Sequence, residues 1–192
     1  MCIRDRHYVD QNGDHRIDSK DRVALGSAAP DFFGGFYTQF KYKGFALGAE
    51  FSYSKGNMAY NAVRNQLEGM NTLGNQSIAV LNRWSLDGQV TNMPRVQHND
   101  PYRSTSFSER WLEDASYLRM KSVTLSYSFD KTVLNFFRSG TLYVSGENLL
   151  TATKYLGLDP EFSYSYGETS QGLDYAKMVQ PKSVKFGVNL KF

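Results

Sequence analysis

The chain has 192 residues, which is enough for one domain or for part of a larger protein. Its 22 basic and 19 acidic residues nearly balance, so no basic surface indicates a nucleic-acid partner. A mean hydropathy of −0.50 and the lack of any apolar run near 18 residues exclude a transmembrane helix, although not a β-barrel. Aromatic residues reach 15%, and strands and interfacial aromatic girdles both use them.

The first six residues, MCIRDR, are short and charged and lack the apolar stretch of a signal peptide. We interpret residues 1–6 as a non-native leader. Cys2 is the only cysteine, which excludes an internal disulfide and a cysteine-based metal cluster. An exported barrel needs a signal sequence, so we expect the native amino-terminal part to be missing.

A calcium-like loop follows the leader. Oxygen-bearing side chains occupy loop positions 1, 3, 5, 9 and 12, and such spacing can wrap the six to eight oxygens that Ca²⁺ prefers around one centre. Position 6 is His15 instead of the usual glycine, although histidine accepts a positive φ better than most residues. Turns in which these side chains cap their own backbone are the alternative. The predicted ligands of this structural calcium ion are Asp10, Asn12, Asp14, Asp18 and Asp21.

Five segments show the period of two that is typical of strands with one apolar and one polar face. The predicted strands are residues 36–42, 45–54, 117–129, 141–150 and 183–192. In the third segment Leu118 and Met120 have the opposite parity from Val123, which a β-bulge or an extension beyond a bilayer would explain.

The connections between these segments alternate in length. Lys43-Gly44 predicts a tight hairpin, and residues 130–140 are also short, whereas residues 55–116 and 152–182 form long loops. Long loops at one end and short turns at the other are typical of bacterial outer-membrane barrels, whose long loops are extracellular. The sequence therefore predicts an all-β, antiparallel transmembrane β-barrel, present only in part because five strands cannot close.

Two other functional classes fit the residues less well. A soluble calcium-bearing carbohydrate-binding or adhesion β-domain would show the same alternation, but a 62-residue loop counts against it. For an enzyme, Glu109 and Glu113-Asp114 flank Trp111 and resemble a carbohydrate-cleaving pair. These acidic residues precede a strand and are expected on a solvated loop, and the three histidines are scattered. We predict that the protein is not an enzyme.

Short blocks along the chain together resemble one family. The blocks are Asp10–Asp14, Asp21-Arg22, Gly26, Pro30–Phe36, Tyr42–Phe45, Arg83-Trp84, Met93–Arg95, Phe107–Arg110, Glu113–Arg119, Lys121–Tyr127, Tyr143–Leu150, Lys154-Tyr155, Asp159–Glu161, Gln180-Pro181 and the terminal FGVNL. Their order resembles the carboxy-terminal third of SusC/RagA-type TonB-linked outer-membrane transporters. The visible departures are His15 and Ala115.

The resemblance implies that residues 7–192 form the last five strands of a barrel of about 22 strands, a size typical of plugged outer-membrane transporters. It implies import of glycans, oligosaccharides or peptides through the outer membrane of a Gram-negative, Bacteroidetes-like bacterium. The implied partners are membrane lipid, a SusD-like surface lipoprotein, the substrate, and TonB through a missing amino-terminal region. No cofactor is required beyond the possible Ca²⁺.

The topology and the resemblance together suggest functional residues. One alternating set is expected to face lipid: Val184, Phe186, Val188, Leu190, Phe45, Leu47, Phe51, Val123 and Leu125. The resemblance assigns Phe192 to the signal read by the barrel-insertion machinery. Substrate or lipoprotein contacts are expected in the long loops, with packing inside the same loop as the alternative. The candidates are Tyr60, Arg83, Trp84, Tyr102, Tyr164 and Tyr166.

Overall fold

The computed structural model describes residues 8–101, 103–130, 138–161 and 171–191, so the predicted leader lies outside it. The strands are β1 Phe32–Tyr42, β2 Phe45–Lys55, β3 Met58–Asn61, β4 Leu112–Asp114, β5 Tyr117–Asp130, β6 Ser139–Thr153, β7 Leu173–Asp174 and β8 Ser183–Lys191. The single α-helix of the described part is α1, Ala62–Glu68, and 3-10 turns cover Ser19–Asp21, Ile78–Asn82 and Glu109–Trp111. None of the helices in these ranges has the length and apolar character needed to cross a membrane.

The five predicted strands form one antiparallel sheet in the order β1-β2-β5-β6-β8. The prediction of an all-β antiparallel wall is confirmed. Two strands are longer than predicted, since β1 begins at Phe32 and β6 covers Ser139–Thr153. Pairing with β2 continues through Gly34-Gly35, where glycines hide the alternation, and β6 continues past an irregularity at Asn148, whose φ is +52°.

A two-residue turn joins β1 to β2, as predicted. Tyr42 pairs with Phe45, and both turn residues have positive φ, +44° at Lys43 and +84° at Gly44. Two successive positive φ values define the type I′ turn, whose twist matches that of the flanking strands. A Cβ on Gly44 would also lie 2.7 Å from the Ser128 carbonyl oxygen. Sequence and sheet geometry therefore agree at this turn.

We expect Gly44→Ala to destabilise the hairpin by about 1–2 kcal/mol, because alanine is disfavoured at positive φ and its Cβ meets a fixed carbonyl. Lys43→Asn is the matched control, since asparagine before glycine is favoured in this turn. Urea unfolding of the full-length protein in detergent micelles measures both. Equal midpoints for Gly44→Ala and the unchanged protein would contradict the assignment of the turn.

A β-bulge in β5 explains the change of parity seen in the sequence. Met120 and Ser122 pair with consecutive residues of β2, so Lys121 has no partner opposite it. A register irregularity occurs at the same place against β6. The extra residue restores the phase, and Leu118 and Met120 lie on the same face as Val123. Of the two explanations offered by the sequence, the bulge is confirmed.

The described residues of three segments meet at the end of the sheet opposite the Lys43-Gly44 turn, and we call residues 8–31, 56–101, 103–116, 154–161 and 171–182 together the loop cap. A small sheet of order β4-β3-β7 joins the two long loops, with β3 and β7 parallel. The amino-terminal segment joins them through the Met58 amide, which donates to the Ser27 carbonyl at 2.8 Å. The long loops thus form one packed unit.

The buried core of the molecule lies in the loop cap and not in the sheet. Trp111 is 1% exposed, and Ala59, Ala115 and Tyr155 form a buried cluster. The Tyr155 hydroxyl donates to the buried Asp174 carboxylate at 2.6 Å. Burial and this neighbouring carboxylate raise the pKa of Tyr155 far above its usual value. The five-stranded wall supports the cap without a core of its own.

Candidate functional site

One face of the five-stranded sheet is apolar and lies open. Phe186 is 80% exposed and Phe40 is 68% exposed, although both are large apolar side chains within strands of the sheet. Direct pairing places all nine residues predicted to face lipid on this apolar face. Its members are Phe36, Phe40, Tyr42, Phe45, Leu47, Phe51, Leu118, Met120, Val123, Leu125, Tyr127, Leu142, Val144, Val184, Phe186, Val188 and Leu190.

The size of the apolar face fits a bilayer better than water. Phe32 to Tyr42 in β1 spans ten residue steps, which is about 33 Å along the strand at ~3.3 Å per residue. At a tilt of about 40° this corresponds to ~25 Å along the membrane normal, the height of the apolar band of outer-membrane barrels. Five strands about 4.8 Å apart and about 33 Å long give a footprint near 800 Å², above the usual range for apolar patches on soluble monomers.

The opposite face is polar and is held by side-chain contacts between strands. The hydroxyl of Thr124 lies 2.8 Å from that of Ser145, and Ser183 donates to Glu147 at 2.9 Å. Lys185 also pairs with Glu147 on this polar face. Apolar residues toward lipid and polar residues toward a lumen are what a barrel wall requires.

An ion-pair cluster fastens the second long loop to the polar face. Arg119, only 3% exposed, forms ion pairs with Asp159 and, at 3.2 Å, with Glu161. Lys121 reaches the same Glu161 at 2.6 Å. Arg119 and Lys121 are two residues apart and share the polar face by ordinary alternation, and the bulge then shifts the phase so that Val123 lies on the apolar face.

Asp159 also joins the two limbs of that loop. Its carboxylate accepts the Glu161 amide at 2.9 Å and the Gln180 amide at 3.3 Å, so the start and the end of the loop meet at one side chain. Sequence reasoning did not predict this cluster, although Arg119 and Asp159–Glu161 lay in blocks that carried the family resemblance. The missing information was the pairing across 40 residues.

Three of the predicted loop contacts are described, and two of them, Tyr60 and Trp84, have different ring contacts. Tyr60 stacks on Phe107 with ring centroids 4.7 Å apart, and its hydroxyl accepts from the Asn65 amide at 2.9 Å. Burial raises the pKa of Tyr60, partly offset by that hydrogen bond. Trp84 is half-buried and carries the exposed Arg95 guanidinium about 6.0 Å above its ring. Tyr60 thus packs on another aromatic ring of its own loop, whereas the ring contact of Trp84 is with an exposed guanidinium.

Arg83 is exposed beside Trp84, where a parallel bridge links it to Met93. Tyr102, Tyr164, Tyr166 and the predicted assembly residue Phe192 lie outside the described residues. Their assigned roles stay predictions.

Glu113 and Asp114, two of the acidic residues that resembled a catalytic pair, have structural partners. Glu113 accepts from Arg64 at 2.6 Å and from the Leu156 amide at 2.9 Å. Asp114 accepts both the hydroxyl and the amide of Ser116, which lowers the pKa of its carboxyl. A carboxylate fixed in this way is a poor proton donor at neutral pH.

The calcium-like loop is exposed and its side chains cap the local backbone. Asp10 accepts the amides of Gly13 and His15 at 2.7 and 2.8 Å, and His15 has the positive φ (+61°) that the sequence allowed. Amides of Asp18 and Gln11 donate to Asp21 and lower its pKa. Within the described ranges no group of three or more His, Cys, Asp or Glu side chains is arranged to hold a metal ion.

Calcium binding stays a prediction. Calorimetric titration of the full-length protein with Ca²⁺ should show binding that the double substitution Asp10→Asn/Asp14→Asn removes, because hard cations prefer charged oxygens. Asp31→Asn, a change outside the loop, is the control and should leave the titration unchanged. Heats equal to buffer dilution for the unchanged protein would favour the alternative of self-capped turns.

Comparison with known proteins gives a consistent group of relatives. No family model matches the chain. TonB-dependent receptor P3 of Formosa agariphila is 32% identical over 96% of the chain, and TonB-dependent receptor SusC of Bacteroides thetaiotaomicron is 26% identical over the same share. The RagAB peptide importer in its open-open state superimposes with a TM-score of 0.74 at 27% identity over 96% of the chain.

The chain belongs to the SusC/RagA-type TonB-dependent receptors. A second solved structure of the RagAB peptide transporter gives a TM-score of 0.76 at 28% identity over 92% of the chain. The predicted recognition and fold class are therefore confirmed. The chain spans 19% of the length of receptor P3, 17% of SusC and 20% of the RagAB chain. It is thus a segment of a receptor, and the five strands of this segment form one continuous part of the sheet.

Proposed function

We propose that this segment is part of the wall of an outer-membrane transporter that imports nutrients such as glycans, oligosaccharides or peptides. The observation that carries the proposal is the division of one continuous sheet into an open apolar face and a hydrogen-bonded polar face. A soluble sheet would cover its apolar face, whereas a bilayer accepts it without cover. The RagAB relatives are named for peptide transport, and the name SusC specifies no substrate.

In this proposal the loop cap is extracellular and the Lys43-Gly44 turn is periplasmic. The cap presents apolar side chains to solvent, and Leu73 and Val90 are each 98% exposed. Exposed apolar residues of this kind suit a protein partner, which we propose to be a SusD-like surface lipoprotein. TonB would act on another part of the receptor. The proposed location is the outer membrane of a Gram-negative, Bacteroidetes-like bacterium.

Uptake by whole cells tests the function. A strain lacking the receptor should lose uptake of labelled oligosaccharides or of labelled peptides, and the unchanged gene should restore it. Trp84→Ala should lower uptake more than Tyr60→Phe, because the Tyr60 ring packs on Phe107 whereas the Trp84 ring contacts the exposed Arg95 guanidinium. The substrate class whose uptake falls is the one transported. Normal uptake of both classes in the deletion strain would argue against the proposal.

The soluble adhesion or carbohydrate-binding alternative makes a different prediction. Such a module would stay monodisperse without detergent, whereas a receptor with Phe40 and Phe186 facing outward should precipitate when detergent is removed. Fractionation of cells and size-exclusion chromatography of the whole receptor distinguish the two. We propose that the protein has no catalytic activity of its own, consistent with the structural partners of Glu113 and Asp114.

A further inference from the structure

A cationic cleft lies where the apolar face meets the loop cap. The cleft has a volume of about 410 Å³. Its lining includes Lys55 at the end of β2, Lys154 just after β6, and the side chains of Ser116 and Phe32. Lys55 pairs with Phe32 on the apolar face. Lys154 lies two residues after Ala152, which pairs with Leu118 of the apolar face. Both lysines therefore lie at the upper edge of the surface that the proposed function places in lipid.

The rows below the cleft are apolar. Tyr53, Leu118 and Ala152 pair across β2, β5 and β6 in the row immediately beneath, and Phe32, 57% exposed, stands beside them. An acyl chain against these residues would bring its headgroup to the height of the lysines. Cations at the ends of membrane strands bury their apolar stems and direct their charge toward this interface.

The side chains that line the cleft carry a net positive charge. Asp114 lies between the lysines, with its Oδ2 4.0 Å from the Lys55 Nζ, and it is the acidic group that lines the cleft. The Ser116 amide and hydroxyl both donate to the other carboxylate oxygen, Oδ1. The two lysine ammonium groups face one carboxylate, which already accepts two hydrogen bonds from Ser116. Ammonium N–H groups therefore remain to donate to an anion. Both lysines are exposed, so an incoming phosphate can reach them.

We propose that this cleft binds the phosphate group of an outer-leaflet lipid between Lys55 and Lys154. The inference rests on the proposed membrane location. Continuity with the apolar face selects a lipid phosphate over free phosphate, because a free ion gains nothing from Phe32, Tyr53 and Ala152. Each basic residue near an anionic membrane surface contributes about fivefold in affinity, and the neighbouring Asp114 offsets part of the sum.

The test uses the whole receptor purified in dodecyl maltoside. Native mass spectrometry measures how much diphosphorylated lipid A each protein retains. Lys55→Gln/Lys154→Gln should weaken retention about tenfold. The matched control is Lys41→Gln/Lys191→Gln, which removes the same charge from the polar face and should retain lipid as the unchanged receptor does. Dephosphorylated lipid should be retained weakly by all three proteins.

Several outcomes are informative. Equal lipid retention by the two double variants overturns the inference and leaves the proposed function intact. Inorganic phosphate that binds the unchanged receptor as well as the lipid does, and is lost in Lys55→Gln/Lys154→Gln, identifies a free-phosphate site and overturns the lipid assignment. A receptor found in the soluble fraction of cells overturns the proposed function, and the inference fails with it.

Discussion

Replacing Asp159 by leucine should lower the free energy of unfolding of the whole receptor by about 3 kcal/mol. The reason is the burial of its partner, since the Arg119 side chain is 3% exposed and the Asp159 side chain 9% exposed. Removing one member of a buried pair leaves the other charge without compensation. Glu161 stays 3.2 Å from Arg119, which places the expected cost at the lower end of the range for such changes. Urea unfolding in lipid vesicles, followed by tryptophan fluorescence, measures it.

The polar face supplies a matched control for this change. Lys185 and Glu147 form an ion pair between neighbouring strands, but their side chains are 58% and 39% exposed. Glu147→Leu should therefore cost much less than Asp159→Leu. A double variant, Arg119→Met with Asp159→Leu, should recover much of the loss because no buried charge stays unpaired and Lys121 still neutralises Glu161. Equal effects of Asp159→Leu and Glu147→Leu would show that burial does not govern the pair.

The second large effect is expected on the apolar face. Val123 lies near the middle of β5, opposite Ala49 in β2 and Gly146 in β6. Val123→Arg should cost about 2–4 kcal/mol, which is the depth-dependent cost of a guanidinium near the midplane on the lipid face of a barrel. Folding of the whole receptor into vesicles, followed by its heat-dependent mobility in gels, gives the difference in stability.

The adjacent residue provides the comparison for Val123. Ser122 has the opposite orientation, and its hydroxyl lies 3.4 Å from the Glu50 carboxylate on the polar face. An arginine at Ser122 would meet that carboxylate in a hydrated lumen, so Ser122→Arg should change stability by less than about 1 kcal/mol. If the two substitutions proved equally harmful, the assignment of faces would fail. If both were harmless, the apolar face would not lie in a bilayer.

Alternation made the wall predictable. Each strand of a barrel repeats every two residues, so local sequence reports which side chains share a face without knowledge of the partner strand. The Lys43-Gly44 hairpin was predictable for the same local reason, because positive φ values at two successive residues require particular residue types. Strand ends were less predictable, since at Gly34-Gly35 and Asn148 the pairing continues where the pattern is lost.

The structure of the loop cap could not be predicted from alternation in the sequence. β4 has three residues and β7 has two, which is too short for any period to show, and β3 and β7 pair across more than a hundred residues. The packing of Tyr60 within its loop was also not predictable, because its ring stacks on Phe107, which is far away in the sequence. Trp111 and Tyr155 form buried contacts in a region that the sequence indicated only as polar loops.

The sequence by itself determined the period, the sidedness and the order of the five strands, because these follow from residue type and short spacing along one chain. Only the tertiary structure decided that Lys121 is the bulge residue of β5, and that Arg119 and Lys121 together hold Asp159 and Glu161. Ion pairs between segments 40 residues apart depend on register and chain return, which no local pattern encodes. The five-stranded sheet could therefore be predicted from the sequence, whereas the ion pairs that attach the loop to it could be found only in the tertiary structure.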